Sequence, residues 1–316
     1  MTDLQHAFEA AFGLEGKALD FRLDRLCGDN GKLRKQILEL LKDADIDDDF
    51  LKVPDRKSKV PVVGLDVGQY RLVESLGEGG FGTVYLAKQR MWPYRQVAIK
   101  FLKSELVSRK CKVRFEVERK TMAMMNHPNI VRFHHSGITR DGVPFFAMEF
   151  VAGTPITEYC DSRQLDLAAR LRLFTQLCKA VNHSHQNGTI HRDLKPGNVL
   201  VSDSENSPTV KLIDFGIATR TDQPSPGTNP GESGLPLGTP KYTSPEQVES
   251  TKIDARSDVY SMGVLLLELL IGTNPITRRE QERHLSRVII KALAKNPLHR
   301  FGTVAEFQSA LQPSGL

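Results

Sequence analysis

The run His191-Arg192-Asp193-Leu194-Lys195-Pro196-Gly197-Asn198, followed downstream by Asp214-Phe215-Gly216, constrains this chain more than any other stretch. A carboxylate and a carboxamide five residues apart, with a lysine between them, suit phosphoryl transfer from a metal-bound nucleotide. In that chemistry Asp193 accepts or orients the substrate hydroxyl and Lys195 neutralises the migrating phosphate. Asn198 and Asp214 would hold Mg²⁺. Either triplet alone could be a surface turn; both in this order and at this separation make a site.

The 316 residues suffice for one large domain with a small extension, or for two ordinary domains. With 40% hydrophobic and 26% charged residues the composition is that of a soluble globular protein. The net charge of +5 is mild. Lys and Arg concentrate nowhere enough to favour nucleic acid or a membrane surface, so the excess is best used at phosphate groups. Cys27, Cys111, Cys160 and Cys178 are scattered without metal-ligand spacing and read as reduced cytosolic thiols. Asp3, His6 and Glu9 break the pattern of a secretion signal. The longest apolar stretch, Gly263 to Gly272, is interrupted by Glu268 and falls short of the roughly 20 residues that span a bilayer. A cytoplasmic protein with no membrane segment is expected.

Residues 1–52 read as a helical extension, with Leu33, Ile37, Leu40 and Leu41 on one stripe and Asp29-Asn30-Gly31 as the turn before it. The acidic run Asp43, Asp45, Asp47, Asp48, Asp49 begins like a calcium loop. It has Asp48 where Gly is needed and Pro54 where Glu is needed, and reads better as a solvated helix end. Residues 53–68, with Pro54 and Pro61, read as a linker. Short strands are predicted at Arg71–Leu76, Thr83–Lys88 and Gln96–Leu102. A helix from about Glu105 to Met125 follows, then strands near Ile130–Ser136 and Pro144–Val151. Beyond Ile156 the pattern is mostly helical. Leu171, Phe174, Cys178, Val181 and His185 share a face of a long helix ending near Asn187-Gly188. Residues 222–236 are too rich in Pro, Gly and Ser for a regular element.

Gly77-Glu78-Gly79-Gly80-Phe81-Gly82-Thr83-Val84 fits G-x-G-x-x-G-x-V. A plain hairpin would also use such glycines. Its place between two predicted strands, not between a strand and a helix, favours a loop that lays backbone amides over nucleotide phosphates. Val97-Ala98-Ile99-Lys100 puts a lysine at the end of an apolar strand. Phe115, Glu118, Met122 and Met125 share one helical face, which strands Glu118 among apolar groups. An unpaired buried carboxylate costs several kcal/mol, roughly, and Lys100 is its natural partner.

Residues 69–312 resemble a protein kinase domain, and the motif wording resembles bacterial, eukaryotic-like (Hanks-type) Ser/Thr kinases. Asn126-His127-Pro128-Asn129-Ile130, Met148-Glu149-Phe150-Val151, Gly238-Thr239-Pro240 and Ser244-Pro245-Glu246 carry the likeness besides the motifs above. Leu23 to Leu51 resembles a short helical preface found before the kinase in one bacterial branch. The resemblance implies an α+β, two-lobed fold with a small β-rich N-lobe and a larger helical C-lobe. It implies ATP and Mg²⁺, and protein substrates phosphorylated on Ser or Thr, with Asp193, Lys195, Lys100 and Glu118 as the catalytic set. Leu76, Val84, Ala98 and Leu200 would sandwich adenine, although ordinary core residues read the same way. Met148 would be the gatekeeper and Glu149 to Val151 the hinge. Glu246 would pair with Arg300, and Asp258 would anchor the catalytic loop. Ser244 replaces the usual Ala, a minor departure.

Lys195 is the Ser/Thr-type choice. Arg192 marks the class whose loop is ordered by a phosphorylated residue, and Thr219, Thr221, Ser225, Thr228 and Ser233 are the hydroxyls on offer. A homodimer meeting for autophosphorylation is a further expectation. One departure is larger: between Pro275 and a helix starting near His284 lie only Ile276 to Arg283, where the family inserts another helix and a long connection. The alternative to an active enzyme is therefore a nucleotide-binding scaffold with weak activity.

Overall fold

The structure, a computed structural model, describes residues 11, 16–28, 30–44, 62–79, 82–102, 122, 125–203, 207–214, 240–249, 253–271 and 279–312. Outside them lie the acidic run from Asp45 to Asp49, Gly80 and Phe81, and most of the helix expected before Met125, with Phe115 and Glu118. Phe215, Gly216, the 222–236 segment and Pro275 also lie outside.

Among the described residues the helices α1 (Gly16–Cys27) and α2 (Gly31–Ala44) precede the sheet. The break between them has a local cause: Asn30 Oδ1 accepts the Leu33 N–H at 3.0 Å and so caps α2. Leu33 and Ile37 of the predicted stripe are buried, as is Leu23 of α1.

The chain divides into two compact units, residues 1–126 with 132–150, and residues 127–131 with 151–316. In the first, β1 (Asp66–Val67), β2 (Tyr70–Gly79), β3 (Gly82–Gln89), β4 (Gln96–Leu102), β5 (Phe133–Ile138) and β6 (Pro144–Glu149) form an antiparallel sheet in the order β1-β2-β3-β4-β6-β5. β1 lies at the end of the segment read as a linker. Asp66 there takes Arg71 at 2.8 Å and Arg90 at 2.5 Å, so the last linker residues belong to the sheet. Alternation along the strands separates two faces. One carries the core: Tyr70, Leu72, Tyr85, Ala87, Val97, Ile99, Phe101, Phe145 and Ala147. Its rings meet at an edge, with Tyr85 and Phe101 centroids 5.7 Å apart.

The strand expected from Ile130 begins three residues later, at Phe133. Ile130 instead bridges Leu212 in the second unit. The buried Asn129 explains the departure: its amide donates to Val210 O at 2.8 Å and to Gln176 Oε1 at 3.0 Å. These bonds fix residues 127–131 to the helical unit, against the apolar pattern that reads as strand.

That second unit holds a small sheet, β7 (Thr154–Pro155), β8 (Val199–Ser202) and β9 (Thr209–Leu212), among α3 (Ile156–Ser162), α4 (Leu167–Gln186), α5 (Pro245–Val248), α6 (Ala255–Ile271), α7 (Arg279–Ala292) and α8 (Val304–Ala310). Asp166 caps α4 by accepting the Ala169 N–H at 2.8 Å. The buried face of α4 is wider than predicted, adding Leu173, Leu177, Ala180 and Ser184, while Leu171 and His185 sit at its half-buried margin. α7 starts at Arg279, before the expected His284. A Cβ on Gly263 would meet Ala292 Cβ at 2.9 Å, so glycine is what lets α6 and α7 approach. Among the described residues no helix is long and apolar enough to cross a membrane.

Candidate active site

Each unit carries its own set of the residues singled out above. In the first, β2 and β3 close a hairpin by pairing Gly77 with Val84, Glu78 with Thr83 and Gly79 with Gly82. Gly82 has no substitute there, because a Cβ would run into the Phe101 carbonyl of β4. The register slips between Ser75 and Gly77, which leaves Leu76 bulged out of the pairing and 44% exposed.

β4 pairs Lys100 with Val84 on one side and with Phe146 on the other, while Ala98 faces Met148. Residues opposite one another in an antiparallel ladder share a face. Val84, Ala98, Lys100 and Met148 therefore line the face of the sheet opposite the aromatic core, and none belongs to that core. Lys100 is only 7% exposed. Lysine is almost never so buried unless its ammonium is paired. At the end of β6, Glu149 donates its N–H to Arg132 O at 2.8 Å, and its carboxylate accepts the Arg132 N–H at 3.0 Å.

In the second unit the loop from His191 to Asn198 is fixed from below by α6. Asp258, fully buried, accepts the His191 N–H and the Arg192 N–H, both at 2.8 Å, and His185 Nε2 lies 2.7 Å from the same carboxylate. Burial alone would raise the Asp258 pKa. The bonds from His185 and the His191 amide outweigh it and hold the carboxyl below its usual range. Burial also pushes the His191 imidazole below its ordinary pKa. A neutral ring fits its contact, because His191 Nδ1 accepts the Asp193 N–H at 3.3 Å. Arg192 between them has φ +68°, the left-handed region uncommon outside glycine.

Asp193 Oδ2 receives Lys195 Nζ at 2.8 Å and Asn198 Nδ2 at 3.1 Å, and Asn198 Nδ2 also donates to Asp193 O at 2.7 Å. With its nitrogen committed to Asp193, Asn198 turns Oδ1 the other way, as a hard oxygen donor. The Ile213 N–H donates to Asn198 O at 3.0 Å, tying the residue before Asp214 to Asn198. Carboxylate and amide oxygens, as on Asp214 and Asn198, are the kind of ligand Mg²⁺ takes. Leu200 follows on β8, opposite Pro155. Val151, half-buried, begins this unit's main run.

Two residues of this unit escaped the sequence reading. His185 was read only as part of a helix face, yet it bonds Asp258. Gln247 was not singled out, yet its Nε2 donates to Arg192 O at 2.9 Å. Its Oε1 meanwhile accepts the Ser244 hydroxyl at 2.9 Å and the Ser244 N–H at 3.2 Å. The signal was present, since Ser244 and Gln247 have the spacing of a capping box.

Residues 70–310 match the family model described as "Protein kinase domain". The chain is 36% identical over 272 residues to serine/threonine-protein kinase pkn3 of Myxococcus xanthus, a match covering 77% of this chain and 49% of that protein. It is 36% identical over 270 residues to serine/threonine-protein kinase PknB of Mycobacterium tuberculosis, covering 77% of this chain and 42% of that protein. The chain thus spans about half the length of these relatives or less. The crystal structure of the Mycobacterium tuberculosis PknI kinase domain superposes with a TM-score of 0.61 at 27% identity, covering 79% of this chain and 98% of that one.

Proposed function

The chain belongs to the protein kinase family, and from that membership we propose that it transfers the γ-phosphate of ATP to Ser or Thr hydroxyls of protein substrates. The observation that carries this is the double grip on Asp193 Oδ2, by Lys195 and Asn198, on a loop anchored to α6. A carboxylate so oriented can take the proton of an incoming hydroxyl, and Lys195 beside it can neutralise the phosphoryl as it moves. Asn198 Oδ1 and Asp214 would hold Mg²⁺, whose charge supports the phosphates when bound. Lys100 would address the α- and β-phosphates and pair with Glu118. Val84 and Ala98, on the same sheet face as Lys100, would cover adenine with Leu76 and Leu200. Residues 77–82 would cover the phosphates. At Glu149 the N–H is taken by Arg132, so a base contact there falls to the carbonyl. The compartment we propose is the cytoplasm, in keeping with Cys27, Cys160 and Cys178 buried as free thiols.

One observation favours the reading of a scaffold with weak activity: only residues 272–278 separate α6 from α7. Radiolabelled ATP with a generic protein substrate separates the two. Transfer by the wild type, lost in Asp193→Asn with nucleotide binding retained, supports the enzyme. Equal labelling by both proteins removes Asp193 as the base, and no labelling with intact ATP binding favours the scaffold.

A further inference from the structure

Arg192 O, the carbonyl of the peptide that leads into Asp193, is held by a side chain from a different part of the chain. The donor is Gln247 Nε2 at 2.9 Å, from α5. The position needs a side chain that both accepts and donates, and the Gln247 amide does both. Ser244 N–H can only donate, so the atom it meets must be an acceptor, and Arg192 O can only accept, so the atom it meets must be a donor. The same requirement fixes which way the Gln247 amide faces.

The consequence for Asp193 follows from peptide planarity. Arg192 C=O and Asp193 N–H lie in one plane. Gln247 holds the carbonyl end of that plane, and His191 Nδ1 holds the amide end at 3.3 Å. The preceding N–H, of Arg192, is held by Asp258 Oδ1 at 2.8 Å. Arg192 at φ +68° is not a conformation its side chain prefers, so the turn persists because its neighbours over-determine it. Gln247 is itself rigidly based. The adjoining Glu246 is buried, bonded to Ser257 Oγ at 2.6 Å and to Arg300 at 2.7 and 2.8 Å.

We propose that Gln247 is a positioning residue for phosphoryl transfer: by holding the Arg192 carbonyl it passes the seating of residues 240–249 to the carboxylate of Asp193. The inference rests on the phosphotransfer reading. Ser244 takes part, because its buried hydroxyl orients the Gln247 amide. The serine in place of alanine is then a working member of the relay.

The test compares full-length wild type with Gln247→Glu and Ser244→Ala. Glutamate keeps the acceptor for Ser244 but presents an oxygen, not a donor, to Arg192 O. A small displacement of a catalytic group costs up to about 100-fold in rate. Q247E should lose about 10- to 100-fold in kcat with KM for ATP unchanged, and S244A should lose less. Hydrogen exchange, read at the same time, should speed up in Q247E at the amides of residues 191–193, with the α6 and α8 amides unchanged. A kcat within about twofold of wild type overturns the proposal, and so does an increase in exchange spread evenly over the molecule, which marks general loosening. Should the wild type transfer no phosphate, the functional reading fails separately. Exchange at 191–193 then decides whether Gln247 holds the loop, and an unchanged rate overturns it.

Discussion

Arg300 sets both terminal nitrogens of its guanidinium on the carboxylate of Glu246, at 2.7 and 2.8 Å, with both side chains buried. The fork is rigid, and three carbonyls, of Ala294, Lys295 and Arg256, complete it. The pair bolts residues 245–248, next to the catalytic loop, to the chain leading into α8. Removing one partner leaves a buried charge without its counter-ion, which costs about 3–5 kcal/mol. Arg300→Met and Glu246→Met should each lower stability by about that much in urea denaturation. The double variant should lose clearly less than the sum, because neither charge is then stranded. Additive losses would show that the two charges do not depend on each other.

Asp258 has a comparable place beneath the active site. Its oxygens accept two backbone N–H groups of the loop and meet His185. An asparagine would turn an N–H towards one of those donors. Hydrogen bonds to a charged group contribute about 1.5–3 kcal/mol each, so Asp258→Asn should cost at least that range in stability. Phosphate transfer should fall by about 100-fold, because the loop that carries Asp193 loses its floor. Wild-type turnover in a folded D258N protein would refute the anchoring role.

The pH dependence of stability has a definite sign. In the fold, burial lowers the pKa of His191 from 6.5. Burial opposes ionisation of Glu246 and Asp258, but bonds from Arg300 and Ser257, and from His185, leave them below 4.5 and 3.8. Each group binds its proton less readily folded than unfolded, so stability is complete above the unfolded pKa and is lost as pH falls through the folded one. The urea midpoint should begin to drop as pH falls below 6.5 and drop further below 4.5. His191→Phe should reduce the slope of the upper segment. It should not abolish it, because burial also lowers the pKa of His127 and His134. A midpoint constant down to the carboxylate range would contradict the neutral, buried imidazole.

Local sequence carried much of this architecture. β-rich runs bounded by glycines and Pro93 located β2, β3 and β4, because strand-forming residues and chain-breaking turns lie side by side in the sequence. The turn before α2 and part of the α4 stripe were readable for the same reason, since cause and effect lie within a few residues. What escaped were effects carried over long sequence separations. Ile130 has a strand's apolar neighbours, yet Asn129 bonds Val210 and Gln176 and takes the segment elsewhere. Leu76 was expected in a regular strand, but the slip next to it shows only in the register with β3. Gln247 lies fifty-five residues from the carbonyl it holds, and no local pattern announces that contact. At the site, residue types and spacing named Asp193, Lys195 and Asn198. Only the structure shows that Asn198 commits its nitrogen to Asp193 and so presents its oxygen.

Lys100 offers the most direct check on the residues singled out in the first unit. It is buried on β4 between Val84 and Phe146, where an ammonium is unfavourable unless an anion meets it. Glu118 lies outside the described residues, and the sequence pattern that strands its carboxylate among apolar positions is what proposes it as that anion. If the two act as a pair, Lys100→Met and Glu118→Gln should each reduce phosphate transfer strongly, by about 100-fold or more. The double variant should then be little worse than either single one, since the second change removes nothing the first has left working. The same cycle read by thermal denaturation should show the matching coupling, with the double variant more stable than additivity demands. Fully additive losses in both readouts would mean that Lys100 and Glu118 never meet, and the anion facing Lys100 would have to be sought elsewhere on the chain.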